Sequence, residues 1–214
     1  MSRPGPQGDL RVTLLLRSGF LPRPAGWKTG RMNDAAASGP TRPVRPARPV
    51  LDVWCDLQCP DCATALGDVR ALRERFGDRL EIRLRHFPLA KHKHAYAAAQ
   101  AAEEAVEQGQ GWPYVEAVLA RTEELGRRGE KVLLDVAAEL GLDAEEIDTA
   151  LVDGRHLLTV DADGAEAKAI GVTGTPTYEI GGERLDGGQS QEGLRARIEE
   201  IAERLLADQD ATAG

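Results

Sequence analysis

Within the 214-residue chain, Cys59-Pro60-Asp61-Cys62 has the residue types and spacing for thiol–disulfide exchange. In that chemistry a thiolate attacks a disulfide sulfur, and a second thiol resolves the mixed disulfide. The motif's setting matters as much as its letters. Val50, Leu51, Val53 and Trp54 form an apolar run after Pro49 that reads as a buried strand. Leu66, Val69, Leu72 and Phe76 recur at spacings of three and four up to Gly77, a helical stripe with its stop. Pro60 suits the first helical position, having no N–H to lose and a pre-set φ. Cys59 would then cap the helix, where unsatisfied N–H groups and the positive dipole end favour thiolate over thiol. Cys59 is therefore the expected nucleophile and Cys62, one turn further in, the expected resolving thiol.

Cys55 is the third and odd thiol. As a strand-end residue it is a small buried hydrophobe; as chemistry it is a candidate third redox partner for Cys59 or Cys62. Zinc would need four ligands. Cys55, Cys59, Cys62 and one of His86, His92, His94 or His156 could supply them, but no second CxxC or HxxxH is present. The C-x3-C-x2-C spacing also resembles the cluster motif of radical SAM enzymes. Asp61 stands where those enzymes have an aromatic, and the repeated βα units of a partial barrel do not follow. No metal or organic cofactor is implied.

A second signal lies about 110 residues downstream, in Gly171-Val172-Thr173-Gly174-Thr175-Pro176-Thr177-Tyr178. Proline cannot donate to a sheet ladder, so Pro176 fits a cis-proline turn leading into a strand.

Around these residues the elements fall in order. Leu80, Ile82 and Leu84 alternate with Glu81, Arg83 and Arg85 as a half-buried strand. Helices are expected over His94–Gln108, Trp112–Leu125, Val132–Leu140, Asp143–Leu151 and Val160–Ile170, with Asp143 and Glu146 as a capping box. Thr175–Ile180 reads as a strand, Gly181-Gly182 as a hairpin turn and Glu183–Leu185 as its partner. Leu194, Ile198, Ile201 and Leu205 mark a last amphipathic helix. The expected architecture is a layered α/β fold, β-α-β and β-β-α, with a helical insertion at about 91–171. His86 is read as a strand-end residue, His92 and His94 as solvated, and Glu103, Glu104 and Glu107 as helix-surface charge. Trp54, Trp112 and Tyr114 are read as core or groove packing.

Composition excludes several classes. Hydrophobic residues are 42% and charged residues 29%, as in globular proteins, with no apolar stretch long enough for a membrane span. A net charge of −8 argues against nucleic acid as a partner. Residues 1–48 nevertheless carry eight Arg and one Lys against two Asp, and eight of the twelve Pro lie in the first 49 residues. We expect residues 1–47 to be a disordered extension, with Met32 as an alternative start, 48–207 the folded domain, and 208–214 a disordered tail. Val12–Leu16 is too short for a secretory core, so the cytoplasm is the expected compartment.

Together these residues resemble the DsbA family of thioredoxin-like thiol–disulfide oxidoreductases. The likeness rests on Asp56-x2-Cys59-Pro60-x-Cys62, His86-Phe87-Pro88-Leu89 followed by His94-Ala95, Trp112, and Val172-x-Gly174-Thr175-Pro176-Thr177. It implies a thioredoxin-like fold with a central mixed sheet flanked by helices. It also implies that Pro176 packs opposite Cys59 and Cys62, and that Thr175 offers its backbone to a substrate chain. The implied partners are protein or small-molecule thiols and disulfides, with a thiol electron donor or acceptor, and neither nucleic acid nor membrane. Asp61 departs from the His common there among periplasmic oxidants. A negative charge beside the thiolate raises its pKa and lowers the couple within the ~−270 to ~−120 mV span. The alternative on this scaffold is the glutathione-binding kappa-type transferase and 2-hydroxychromene-2-carboxylate isomerase group, which carries Ser at the helix start.

Overall fold

The computed structural model describes residues 48–187 and 193–213. The basic extension over 1–47, Met32 included, lies outside them. Among the described residues, the first elements are strand β1 (Val50–Cys55) and helix α1 (Pro60–Phe76). A 3₁₀ turn (Gly77–Arg79) then leads to β2 (Glu81–His86). Six helices follow: α2 (Ala95–Glu107), α3 (Gly111–Leu119), α4 (Thr122–Arg128), α5 (Lys131–Glu139), α6 (Ala144–Asp153) and α7 (Leu157–Ala169). β3 (Thr177–Ile180), β4 (Glu183–Asp186) and α8 (Leu194–Ala213) complete the fold.

The strand order is β2-β1-β3-β4. β1 pairs in parallel with β2, from Val50 opposite Glu81 to Cys55 opposite His86, and antiparallel with β3. A central strand is covered on both faces, which is why β1 is apolar at nearly every position. Asp52 interrupts that run and is also buried; Arg83 on β2 grips both its carboxylate oxygens, at 2.8 and 2.7 Å. The β3–β4 hairpin turns through Gly181 and Gly182, both at positive φ, the conformation that a two-residue hairpin requires.

Two apolar clusters pack on one face of the sheet, while Trp54, Ala167 and Val172, with Phe87, form a third on the other. Val69, Leu72 and Phe76 of α1 pack with Leu51, Val53, Tyr178, Ile180 and the α8 residues Ile198 and Ile201. The second joins the start of α1 to the helical insertion, where Ala98, Ala101, Ala102 and Ala105 of α2 let neighbouring helices approach closely. Tyr114 is buried there and donates its hydroxyl to the Leu133 carbonyl across α3 and α5.

The structure departs from the sequence pattern in three places. The helix expected over Trp112–Leu125 is two, α3 and α4, broken at Ala120–Arg121. Leu119 and Leu125 both bury in the same cluster. Six residues apart on one continuous helix, they would diverge by about 120°, so the chain breaks to aim both inward. The tail expected from 208 is helical as far as Ala213, as a continuation of α8. Strand β3 begins at Thr177 rather than Thr175, because Pro176 has no N–H for the ladder. Among the described residues, no helix is long and apolar enough to cross a membrane.

Candidate active site

Cys59 sits at the N-cap of α1 with extended backbone, and Pro60 opens the helix. A turn closed by Cys59 N–H on the Asp56 carbonyl (3.0 Å) carries the chain from β1 into the cap. Cys55, Cys59 and Cys62 are all free thiols and all buried. The loop before β3 returns to this point from late in the chain. The Thr175–Pro176 peptide is cis, and the Cys59 thiol lies 3.6 Å from the Thr175 carbonyl oxygen, which accepts its hydrogen bond. Thr177 Oγ1 holds the loop by donating to the Gly174 carbonyl at 2.8 Å, and Gly187 N–H donates to the Pro176 carbonyl at 2.9 Å.

A cleft of about 780 Å³ opens over Cys59. Asp61, Thr175 and Pro176 line it, with Leu89, Ala90 and Lys91 on the opposite wall and Asp186 at its edge. Its walls mix apolar surface with both signs of charge, as a site for a polypeptide segment does.

Electrostatics at Cys59 run against the simple helix-cap expectation. The Cys62 side chain, followed by burial, pushes the Cys59 thiol up from its ordinary value. The Thr175 side chain and the Cys62 backbone N–H act in the opposite, thiolate-favouring direction and are outweighed. The helix start thus contributes as expected, but the neighbouring sulfur and the dry surroundings dominate. Asp61, expected to be the unfavourable charge, is exposed to solvent, where screening weakens its reach. Burial, then the Cys55 thiol, hold Cys62 well above the usual range.

The Asp56 carboxylate is the hub of the surrounding loops. It is buried, and Oδ1 accepts from Gln58 N–H at 2.7 Å. Oδ2 accepts from Leu89 N–H and meets His92 Nδ1, each at 2.8 Å. Gln58 in turn accepts from His94 N–H at 2.7 Å. The segment leading into Cys59 and the wall of the cleft at Leu89–Lys91 are therefore one hydrogen-bonded unit. Asp56 belongs to the sequence motif, but nothing local announces its partners on the far side of β2.

The structure brings Cys59, Cys62, Pro60, Asp61, Thr175 and Pro176 together, with Cys55 behind Cys62 at the end of β1. Trp54 and Tyr114 are core residues as expected, while Trp112 is half-buried beneath the Arg73 guanidinium. Several polar residues are placed differently. His92 and His94 are not solvated; their side chains are 15% and 13% exposed because the loop folds back on Asp56 and Gln58. Glu104 is buried and pairs with His156 at 2.9 Å, and Glu103 meets buried His86 at 2.8 Å. Glu104 is turned to the start of α7, and Glu103, part-exposed, to the end of β2. Among the described residues, one set of three potential ligand groups lies mutually within 4.8 Å, Glu104, Glu107 and His156.

The family described as Thioredoxin matches residues 45–200. The chain is 37% identical over 153 residues to a Na(+)/H(+) antiporter NhaA from Herminiimonas arsenicoxydans, covering 72% of this chain and 24% of the antiporter. It spans about a quarter of the length of the curated relatives it matches. The fold is that of DsbA-type proteins: the oxidoreductase DsbA from Xylella fastidiosa superposes with a TM-score of 0.60 at 20% identity, over 77% of this chain and 87% of that one. A thioredoxin-like oxidoreductase from Silicibacter pomeroyi DSS-3 gives 0.59 at 22% identity, over 71% and 85%.

Proposed function

The chain belongs to the thioredoxin family, and on that premise we propose that it is a protein thiol–disulfide oxidoreductase working through Cys59 and Cys62 opposite the Pro176 loop. The observation that carries this reading is the Cys59 thiol at 3.6 Å from the Thr175 carbonyl, at the base of an open cleft. A substrate chain lies in that cleft beside Thr175, pairing with its backbone as a short strand. Cys59, as thiolate, attacks one sulfur of the substrate disulfide, and the other sulfur leaves as a thiolate. Cys62, losing its proton, then attacks the Cys59 sulfur. The second substrate thiol departs, and a Cys59–Cys62 disulfide remains. Run backwards, the same steps oxidise a substrate dithiol. An external thiol pair restores the reduced state.

Reduction of insulin by dithiothreitol, followed by turbidity, tests the proposal. The wild-type protein accelerates precipitation, and Cys59→Ala reduces the rate to that of dithiothreitol alone. An unchanged rate in Cys59→Ala refutes the assignment. Glutathione conjugation measured in parallel separates the transferase alternative, whose group lacks a paired thiol.

The antiporter relatives favour one second reading, in which the same thiol pair serves as a redox sensor in a longer ion-transporting protein. A sensor forms its disulfide once per signal and gives no insulin turnover, so the same assay divides the two.

A further inference from the structure

Cys55 has no part in the exchange above, yet it stands beside one of its two sulfurs. It ends β1, its carbonyl held by Phe87 N–H at 2.9 Å, and its side chain turns into the same small apolar chamber as Cys62, walled by Leu66, Leu84 and Tyr178. The next peptide tightens the arrangement, because Asp56 N–H donates to Cys62 Sγ at 3.5 Å. Both neighbouring thiols act on Cys62: burial pushes its thiol up, Cys55 adds to that, and Cys59 opposes it.

From this geometry we infer that Cys62 has two disulfide partners, and that the oxidised protein interconverts between a Cys59–Cys62 and a Cys55–Cys62 bond. The inference rests on the redox pairing proposed above and goes beyond it. The step needs no external oxidant. Cys55 gives up its proton and attacks Cys62 Sγ; the Cys55–Cys62 bond forms as the Cys59–Cys62 bond breaks. Cys59 leaves as thiolate and takes the proton, with no net change in oxidation state. The product is an oxidised protein with a free Cys59 at the base of the cleft and its resolving thiol occupied. A mixed disulfide formed at that Cys59 is released by another thiol of the substrate instead of by Cys62. The outcome is rearrangement of the substrate's disulfides, not their reduction.

The sequence makes the test direct. Cleavage before Asp52, Asp56, Asp61 and Asp68 places each cysteine on its own peptide: 52–55, 56–60 and 61–67. The full chain is oxidised with glutathione disulfide, its remaining thiols are alkylated, and it is cleaved at aspartate and analysed by mass spectrometry. We expect the linked pair 52–55/61–67 beside 56–60/61–67, and alkylation of peptide 56–60 that disappears in oxidised Cys55→Ala. In Cys59→Ser, oxidation should take free thiols from two per chain to none. A wild-type map holding 56–60/61–67 without 52–55/61–67 overturns the inference and leaves the Cys59–Cys62 reading intact. A map holding neither pair overturns that reading as well.

Discussion

At Cys59 the sulfur is at a helix start, yet the fold withholds the stabilisation that this position gives a thiolate. Cys62 and burial together outweigh the Thr175 side chain and the Cys62 N–H. A thiolate that the protein does not favour leaves the reduced state without extra stability, and strong oxidants of this chemistry depend on that extra stability. The Cys59–Cys62 couple should therefore lie toward the reducing end of the span, nearer ~−270 than ~−120 mV. Equilibration with glutathione buffers measures it, and a value at the oxidising end contradicts the account. Asp56 carries a second residue-scale expectation. Its buried carboxylate satisfies the part-buried N–H groups of Gln58 and Leu89, and a buried donor left unpaired costs about 1–3 kcal/mol. Asp56→Ala should lower unfolding free energy by about 2–4 kcal/mol and slow insulin reduction, because the cleft wall at Leu89–Lys91 loses its anchor. Urea titration with the insulin assay checks both; an unaltered midpoint counts against the hub. The thiol pair and the proline loop were legible in sequence because each is a short motif with its own local geometry. The Asp56–His92 contact and the environment of Cys59 were not, since they depend on distances set across the sheet.

Elements were legible where one period governed them. The α1 stripe, the β2 alternation and the glycine stops at Gly77, Gly141 and Gly171 follow from residue spacing alone, and those glycines take positive φ. Legibility failed where packing overrode period. Nothing in Trp112–Leu125 marks the break between α3 and α4; the joint burial of Leu119 and Leu125 requires it. The glutamates of α2 looked like surface charge because their partners, His86 and His156, come from other elements. A test at this scale concerns the junction of the Pro176 loop with the end of β4. Gly187 is buried against that loop, and a Cβ there would sit 3.0 Å from the Tyr178 ring and 3.1 Å from the Pro176 carbonyl oxygen. Overpacking of this kind costs about 1–3 kcal/mol. Gly187→Ala should destabilise the protein by about 1–2 kcal/mol and lower its insulin-reduction rate by shifting Thr175 relative to Cys59. Full activity with unchanged stability would show that the loop position is not set by this contact.

Across the whole molecule, the buried thiols tie redox state to stability through pH. Cys59 and Cys62 both have folded-state pKa values raised above the ordinary 9.0, so the native reduced protein keeps protons that the unfolded chain releases first. Below pH 9 both states are protonated and the contribution to stability is complete. As pH rises past 9 toward the folded values, the unfolded state binds fewer protons, and unfolding free energy falls by up to about 1.4 kcal/mol per pH unit for each thiol. The disulfide form has no protons on these sulfurs and escapes that loss. Tyr114, also raised by burial above 10.0, weakens both forms alike above pH 10 and cancels in the difference. The stability gap, oxidised minus reduced, should be flat from about pH 7 to 8.5 and widen in favour of the oxidised form from about pH 9.5 upward. Urea unfolding of both forms across that range measures the gap directly. The same cycle requires the native disulfide to become harder to reduce, relative to that of the unfolded chain, over the same interval. A gap that stays constant to pH 10 would mean that the fold does not hold its thiols protonated, and the expected reducing potential would lose its physical basis with it.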